Sequence, residues 1–84
     1  MFQIIHKREL NVQTTMLDVK APAVARRAKP GQFIILRVDE NGERIPLTIA
    51  GCNPEEGTVK IIFQKVGATT RRLGLLEEGQ SILD

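Results

Sequence analysis

The chain contains no tryptophan, no tyrosine and only three phenylalanines. Stacking platforms for nucleobases are therefore scarce. Its twelve Lys and Arg residues stand against ten Asp and Glu, for a net charge of +2, and do not gather into the basic stripe of a nucleic-acid binder. A single cysteine, Cys52, excludes a disulfide framework and any zinc or iron–sulfur site built from cysteines of this chain alone. No apolar run approaches the roughly 20 residues of a membrane span, and no secretory leader is read at the start. A reducing, cytoplasmic setting without membrane attachment is the expectation. The lone histidine, His6, falls in a strand-like run and reads as a half-exposed strand residue. No nucleophile–base pair or metal cluster can be assembled, so hydrolytic chemistry has no support.

What remains is an ordinary globular composition, 42% hydrophobic and 26% charged over 84 residues. A chain of this length makes one domain and buries only about 60–65% of its unfolded surface, which leaves little room for an enzyme with two substrates. Residues 2–9 and 12–20 read as two strands joined at Leu10-Asn11, the second rich in β-branched residues. Ala21-Pro22 closes it, residues 23–29 suit one or two helical turns, and Pro30-Gly31 is a turn signal. The apolar run 32–38 predicts a buried strand. Asp39-Glu40-Asn41-Gly42 predicts a hairpin turn in which Asn-Gly takes positive φ. Strands over 44–50 and 58–65, a short helix over 70–76 and a sixth strand over 80–84 complete the reading. Short strands with turn signals at intervals near ten residues predict an all-β fold, a small six-stranded antiparallel Greek-key barrel with one short helix. Closure of such a barrel would remove exposed edges.

Two constellations could carry function. Arg44-Ile45-Pro46-Leu47-Thr48-Ile49-Ala50 alternates like a strand but carries a proline, which cannot donate to a ladder and belongs at edges, strand starts or bulges. Thr48 follows two residues later on the same side. An arginine can grip phosphate in bidentate fashion, and Pro46 and Leu47 offer apolar surface to a flat ring. An edge strand with a surface arginine explains the same residues. The second constellation, Gly67-Ala68-Thr69-Thr70-Arg71-Arg72-Leu73, is a small-residue loop entering a helix. Its glycine permits close approach, its threonines suit capping, and free N–H groups at a helix start bind anions. A capped helix with two solvated arginines is the plainer explanation. Cys52 reads as a small, half-buried residue.

Taken in order, Pro30-Gly31-Gln32-Phe33, the segment from Arg44 to Ala50, and Val66-Gly67-Ala68-Thr69-Thr70 resemble the FAD-binding barrel of the ferredoxin–NADP reductase superfamily. The nearest branches in resemblance are the small flavin subunit of NADH-dependent ferredoxin–NADP reductase and the electron-transfer subunit of dihydroorotate dehydrogenase. The resemblance covers essentially the whole chain. It implies FAD as cofactor, with Pro46 and Leu47 flanking the flavin ring, Thr48 near its N5 edge and Arg44 at the pyrophosphate. Phe63, Gln64 and Lys65 would line the ribityl and adenosine side, and Gly67, Thr69 and Thr70 would form the phosphate loop. It also implies an NAD(P)-binding domain in the same parent protein, an iron–sulfur or flavin partner subunit, and electron transfer from NAD(P)H through FAD to that partner. By the same token the chain is expected to be a truncated domain, inactive alone and holding its pocket in part. The competing reading is a small β-barrel module binding nucleic acid or protein without redox activity. A third is a barrel used only for subunit contact.

Overall fold

The computed structural model describes residues 1–83; Asp84, the last residue of the expected sixth strand, lies outside the described residues. β1 (Phe2–Glu9) and β2 (Thr14–Lys20) form the first hairpin. Asn11 makes its turn, the side-chain Oδ1 accepting the N–H groups of Gln13 and Thr14, both at 2.9 Å. This Asx turn starts the second strand at Thr14 rather than at residue 12 and leaves Val12 exposed. α1 (Pro22–Arg27) opens on its proline, at a position where no N–H is needed.

Lys29 to Gln32 is a turn closed by the Gln32 N–H on the Lys29 carbonyl at 3.2 Å. Pro30 supplies the fixed φ of its second position and Gly31, at φ 94°, the positive φ of its third. β3 (Phe33–Leu36), β4 (Ile45–Asn53) and β5 (Thr58–Gln64) then run as a meander. α2 (Ala68–Leu75) and β6 (Ser81–Ile82) end the fold. The sheet order is β3-β4-β5-β2-β1-β6, every pairing antiparallel. Placing β2 beside β5, the end of the meander, is a Greek key.

Period-two burial builds the core. Thr15, Leu17 and Val19 of β2 and Val59, Ile61 and Phe63 of β5 all face inward, together with Ile4, Leu36, Val38, Ile82 and Leu73 of α2. A smaller cluster packs Ala21 and Ala25 on Ile49 and Val59.

Three expectations need correction. The apolar run at β3 is not buried throughout, because alternate residues of a strand point to opposite faces and those on the outer face meet solvent; Phe33 is 67% and Ile35 58% exposed, while Leu36 is 3%. The sheet curls without a β3–β6 ladder among the described residues, so its edges are not removed. A bond from the Leu83 N–H to the Val38 carbonyl at 3.2 Å spans that seam, and an apolar cavity of about 230 Å³ lies among Phe2, Val24, Ile34, Ile35 and Ile82. Finally, neither Asn41 nor Gly42 takes positive φ. The strands end at Leu36 and Ile45, so the connection is too long to need a two-residue turn. Asp39 organises it instead: its Oδ1 accepts the Asn41 N–H at 2.9 Å and its carbonyl the Gly42 N–H at 3.0 Å.

Candidate functional site

β4 and β5 pair from Asn53 opposite Thr58 as far as Ile49 opposite Ile61, and then part. Towards its start β4 pairs with β3 alone, over Ile45 to Thr48, while β5 continues to Gln64 against β2. The two strands leave a notch between them, floored by Ile49 and Ile61, each 1% exposed.

The direction of the main-chain groups follows from two hydrogen bonds. Ile49 donates its N–H to the Gln32 carbonyl at 2.7 Å, on the β3 side. Successive residues of a strand turn their N–H groups to opposite edges, so Pro46 and Thr48 face the notch. The missing N–H of Pro46 therefore costs no ladder bond, and the Thr48 N–H has no strand to meet. On the other wall, Lys65 donates to the Gln13 carbonyl at 2.7 Å, on the β2 side. Ile62 and Gln64 consequently turn their main chain towards the notch, the Gln64 carbonyl taking the Val66 N–H at 3.0 Å.

Side chains sort in the same way. Ile45 and Leu47 lean on the core, whereas Arg44, Pro46 and Thr48 are exposed. Phe63 is 4% exposed and belongs to the core, so its ring is not open to a ligand and main chain is what this position offers. Gln64 is exposed. The Lys65 ammonium is taken by Glu9 Oε2 at 2.7 Å, away from the notch.

α2 starts at Ala68, earlier than its sequence pattern suggested, because the Thr70 hydroxyl reaches back instead of forward. Thr70 Oγ1 accepts the N–H groups of Val66 and Gly67 at 3.0 and 2.9 Å and donates to the Gly67 carbonyl at 3.1 Å. The first bond of the helix runs from the Arg71 N–H to the Gly67 carbonyl at 2.9 Å. The N–H groups of Ala68, Thr69 and Thr70 precede it and have no helix carbonyl to meet, which makes them an anion-binding group, with exposed Arg71 next in the chain.

Contacts outside the sequence reading bring the two constellations together. Thr69 is 8% exposed, and its Oγ1 donates to Glu43 Oε1 at 3.4 Å. Arg72 forms an ion pair with Asp39. The start of α2 thus lies against the loop that feeds Arg44 into β4. At the far end of α2, the Lys7 ammonium donates to the Gly74 carbonyl at 2.9 Å and to Glu77 Oε1 at 3.2 Å, a cation placed where the helix dipole favours one. Arg72 reads from sequence as solvated and Asp39 as a turn residue. Both are surface types whose pairing across the fold leaves no local pattern.

The Lys65 hydrogen bond, with smaller help from Thr15 and Lys7, holds the Glu9 carboxyl below its ordinary 4.5. A lowered folded-state pKa stabilises the fold above the ordinary value, and that contribution disappears as pH falls through the lowered one. Glu9→Gln is therefore expected to flatten the acid limb of a Tm-against-pH profile below about pH 4.5, the variant lying slightly below wild type at pH 7, where the contribution is fully present but small for a solvent-exposed pair, and converging on it in acid.

No family model matches the chain. It is 48% identical over 82 residues to a dihydroorotate dehydrogenase B electron transfer subunit homolog of Thermotoga maritima, covering 98% of this chain and 29% of that protein. Among solved structures it superposes on a chain of the NADH-dependent reduced ferredoxin–NADP oxidoreductase with TM-score 0.96 and 40% identity, over all of this chain and 30% of that one. It also superposes on the ferredoxin reductase of carbazole 1,9a-dioxygenase, in its FAD apo form, with TM-score 0.71 over 93% of this chain and 26% of that one. At 17% identity that likeness speaks for the fold alone. The chain spans less than a third of the length of these relatives. Among the described residues no helix is long and apolar enough to cross a membrane, and no group of three or more His, Cys, Asp or Glu could hold a metal ion. The chain belongs to the ferredoxin–NADP reductase superfamily and has the fold of its FAD-binding barrel.

Proposed function

We propose that this chain is the flavin-binding barrel of a cytoplasmic, NAD(P)H-linked electron-transfer oxidoreductase, and that its cofactor is FAD. The observation that carries the reading is the parting of β4 from β5. It leaves the Thr48 N–H facing the notch without a ladder partner, and the anion-binding start of α2 is tied to the loop leading into it. A flat, polar-edged ring with a phosphate tail has the chemistry these groups accept.

Thr48 would hold the polar edge of the ring through its N–H and hydroxyl, and Pro46 and Leu47 would flank it. The main chain at Phe63, with Gln64 and Lys65, would line the ribityl and adenosine side. Gly67 would admit the pyrophosphate closely, and the N–H groups of Thr69 and Thr70 would bind it. Thr70 contributes in a second way, since its hydroxyl shapes the loop. Arg44, exposed where the loop enters β4, would add positive charge near the phosphates. When bound, FAD supplies the capacity to accept a hydride and to release electrons singly, and the protein's share is binding, orientation and polar tuning. The nicotinamide donor would be held by an NAD(P)-binding domain of the same parent protein, and an iron–sulfur or flavin subunit would receive the electrons. The relatives' names support this over a nucleic-acid-binding barrel.

Quenching of FAD fluorescence on titration with the protein tests the reading. Saturable quenching is expected, and Thr48→Val, which keeps the N–H and shape but removes the hydroxyl, should weaken it roughly two- to tenfold, as for one hydrogen bond. Absence of quenching in a folded sample, or an unchanged affinity in Thr48→Val, would contradict it.

A further inference from the structure

The loop between β3 and β4 is gripped at two points by one face of α2. Arg72 pairs with Asp39 at the start of the loop, and Thr69 donates to Glu43 at its end. Thr69 and Arg72 are three residues apart in the helix and so share a face, the face that also carries Leu73 into the core. The fit is close: a Cβ built on Gly42 would stand 3.6 Å from Arg72 Nη1. The guanidinium beside Asp39 also holds that carboxyl below its usual range.

These contacts have a geometric consequence. Glu43 immediately precedes Arg44 and the notch wall of Pro46 and Thr48, whereas Thr69 belongs to the anion-binding turn of α2. We propose that Asp39–Arg72 and Glu43–Thr69 form a positioning clasp, which fixes the spacing between the ring-binding edge of β4 and the phosphate-binding start of α2. The inference rests on the flavin reading above and goes beyond it. It assigns to Asp39 and Arg72 a part in selecting a ligand long enough to use both sites. Neither residue needs to touch the ligand, because each acts through the backbone it restrains.

A ligand that uses only the ring site is indifferent to that spacing; one that bridges both sites is not. The test compares FAD with riboflavin, which has the ring and no phosphate, by fluorescence quenching. The proteins are wild type, Asp39→Ala, Arg72→Ala and the double charge exchange Asp39→Arg with Arg72→Asp. Thermal unfolding of each reports on the fold. The clasp predicts that either single change weakens FAD by up to about fivefold, the upper range for a partly exposed ion pair, while riboflavin stays within about twofold. The exchange should recover part of the FAD affinity, the signature of a pairwise interaction, the remainder being lost with the acceptor that Asp39 offers the Asn41 N–H. Equal weakening of both flavins would make the pair a general brace and overturn the proposal, as would unchanged FAD affinity or an exchange that restores nothing. If wild type binds FAD and the variants match it, the clasp fails and the flavin reading stands. If folded wild type binds neither flavin, both fall.

Discussion

Leu73→Ala is expected to destabilise the protein by about 2–5 kcal/mol, the usual range for emptying a fully buried leucine site. Leu73 has no exposed surface and packs in the main core, with Ile45, Leu47 and Leu76 leaning on the same cluster. A domain of this length has roughly 4–13 kcal/mol in all, so the loss is a large share of the total. The effect should extend to function. Leu73 is the apolar anchor of α2, and the start of that helix carries the anion-binding N–H groups. Urea unfolding followed by circular dichroism gives the energy. Leu73→Met, which conserves volume, should cost less than about 1.5 kcal/mol. A loss below about 1 kcal/mol in Leu73→Ala would mean that α2 is not seated in the core as described.

Thr70→Val should have the second largest effect, on binding more than on folding. The hydroxyl of Thr70 satisfies two main-chain donors, Val66 and Gly67, and returns a hydrogen bond to Gly67. Valine keeps the shape and loses all three contacts. Loss of such a cap costs about 0.5–2 kcal/mol. The released turn would no longer hold its free N–H groups in a fixed array, so FAD affinity should fall roughly tenfold, equivalent to about 1.4 kcal/mol. Thr70→Ser retains the hydroxyl and should behave nearly as wild type. Equal flavin affinities for the valine and serine variants would separate the hydroxyl from the site.

These expectations bear on what could be read without the fold. Pro46 was legible: a proline within an alternating apolar run marks an unpaired edge, and the notch is that edge. The small-residue loop before an arginine pair likewise marked the start of α2, although the helix begins at Ala68 because the Thr70 hydroxyl bonds backward. The strands β2 and β5 were legible because each buries every second residue of an alternating run. The run at residues 33–36 misled, since an unbroken apolar run does not reveal which residues face away from the core. Phe33 and Ile35 are exposed because they stand on the outward face of the pleat. The Asp39–Arg72 pair was invisible for a different reason. Its partners are 33 residues apart, and isolated surface charges carry no period to betray a tertiary contact.

The central claim is that the β4–β5 notch and the first turn of α2 bind one flavin dinucleotide. Amide chemical shifts of isotopically labelled protein, followed through a titration with FAD, test it residue by residue and at any strength of binding. The account predicts saturable shifts concentrated at the amides of Thr48, Ile62, Gln64, Ala68, Thr69 and Thr70, rising together along a single binding curve. Shifts confined to other surfaces, such as the apolar cavity beside Phe2 and Ile35, or none at saturating FAD in a folded sample, would contradict it.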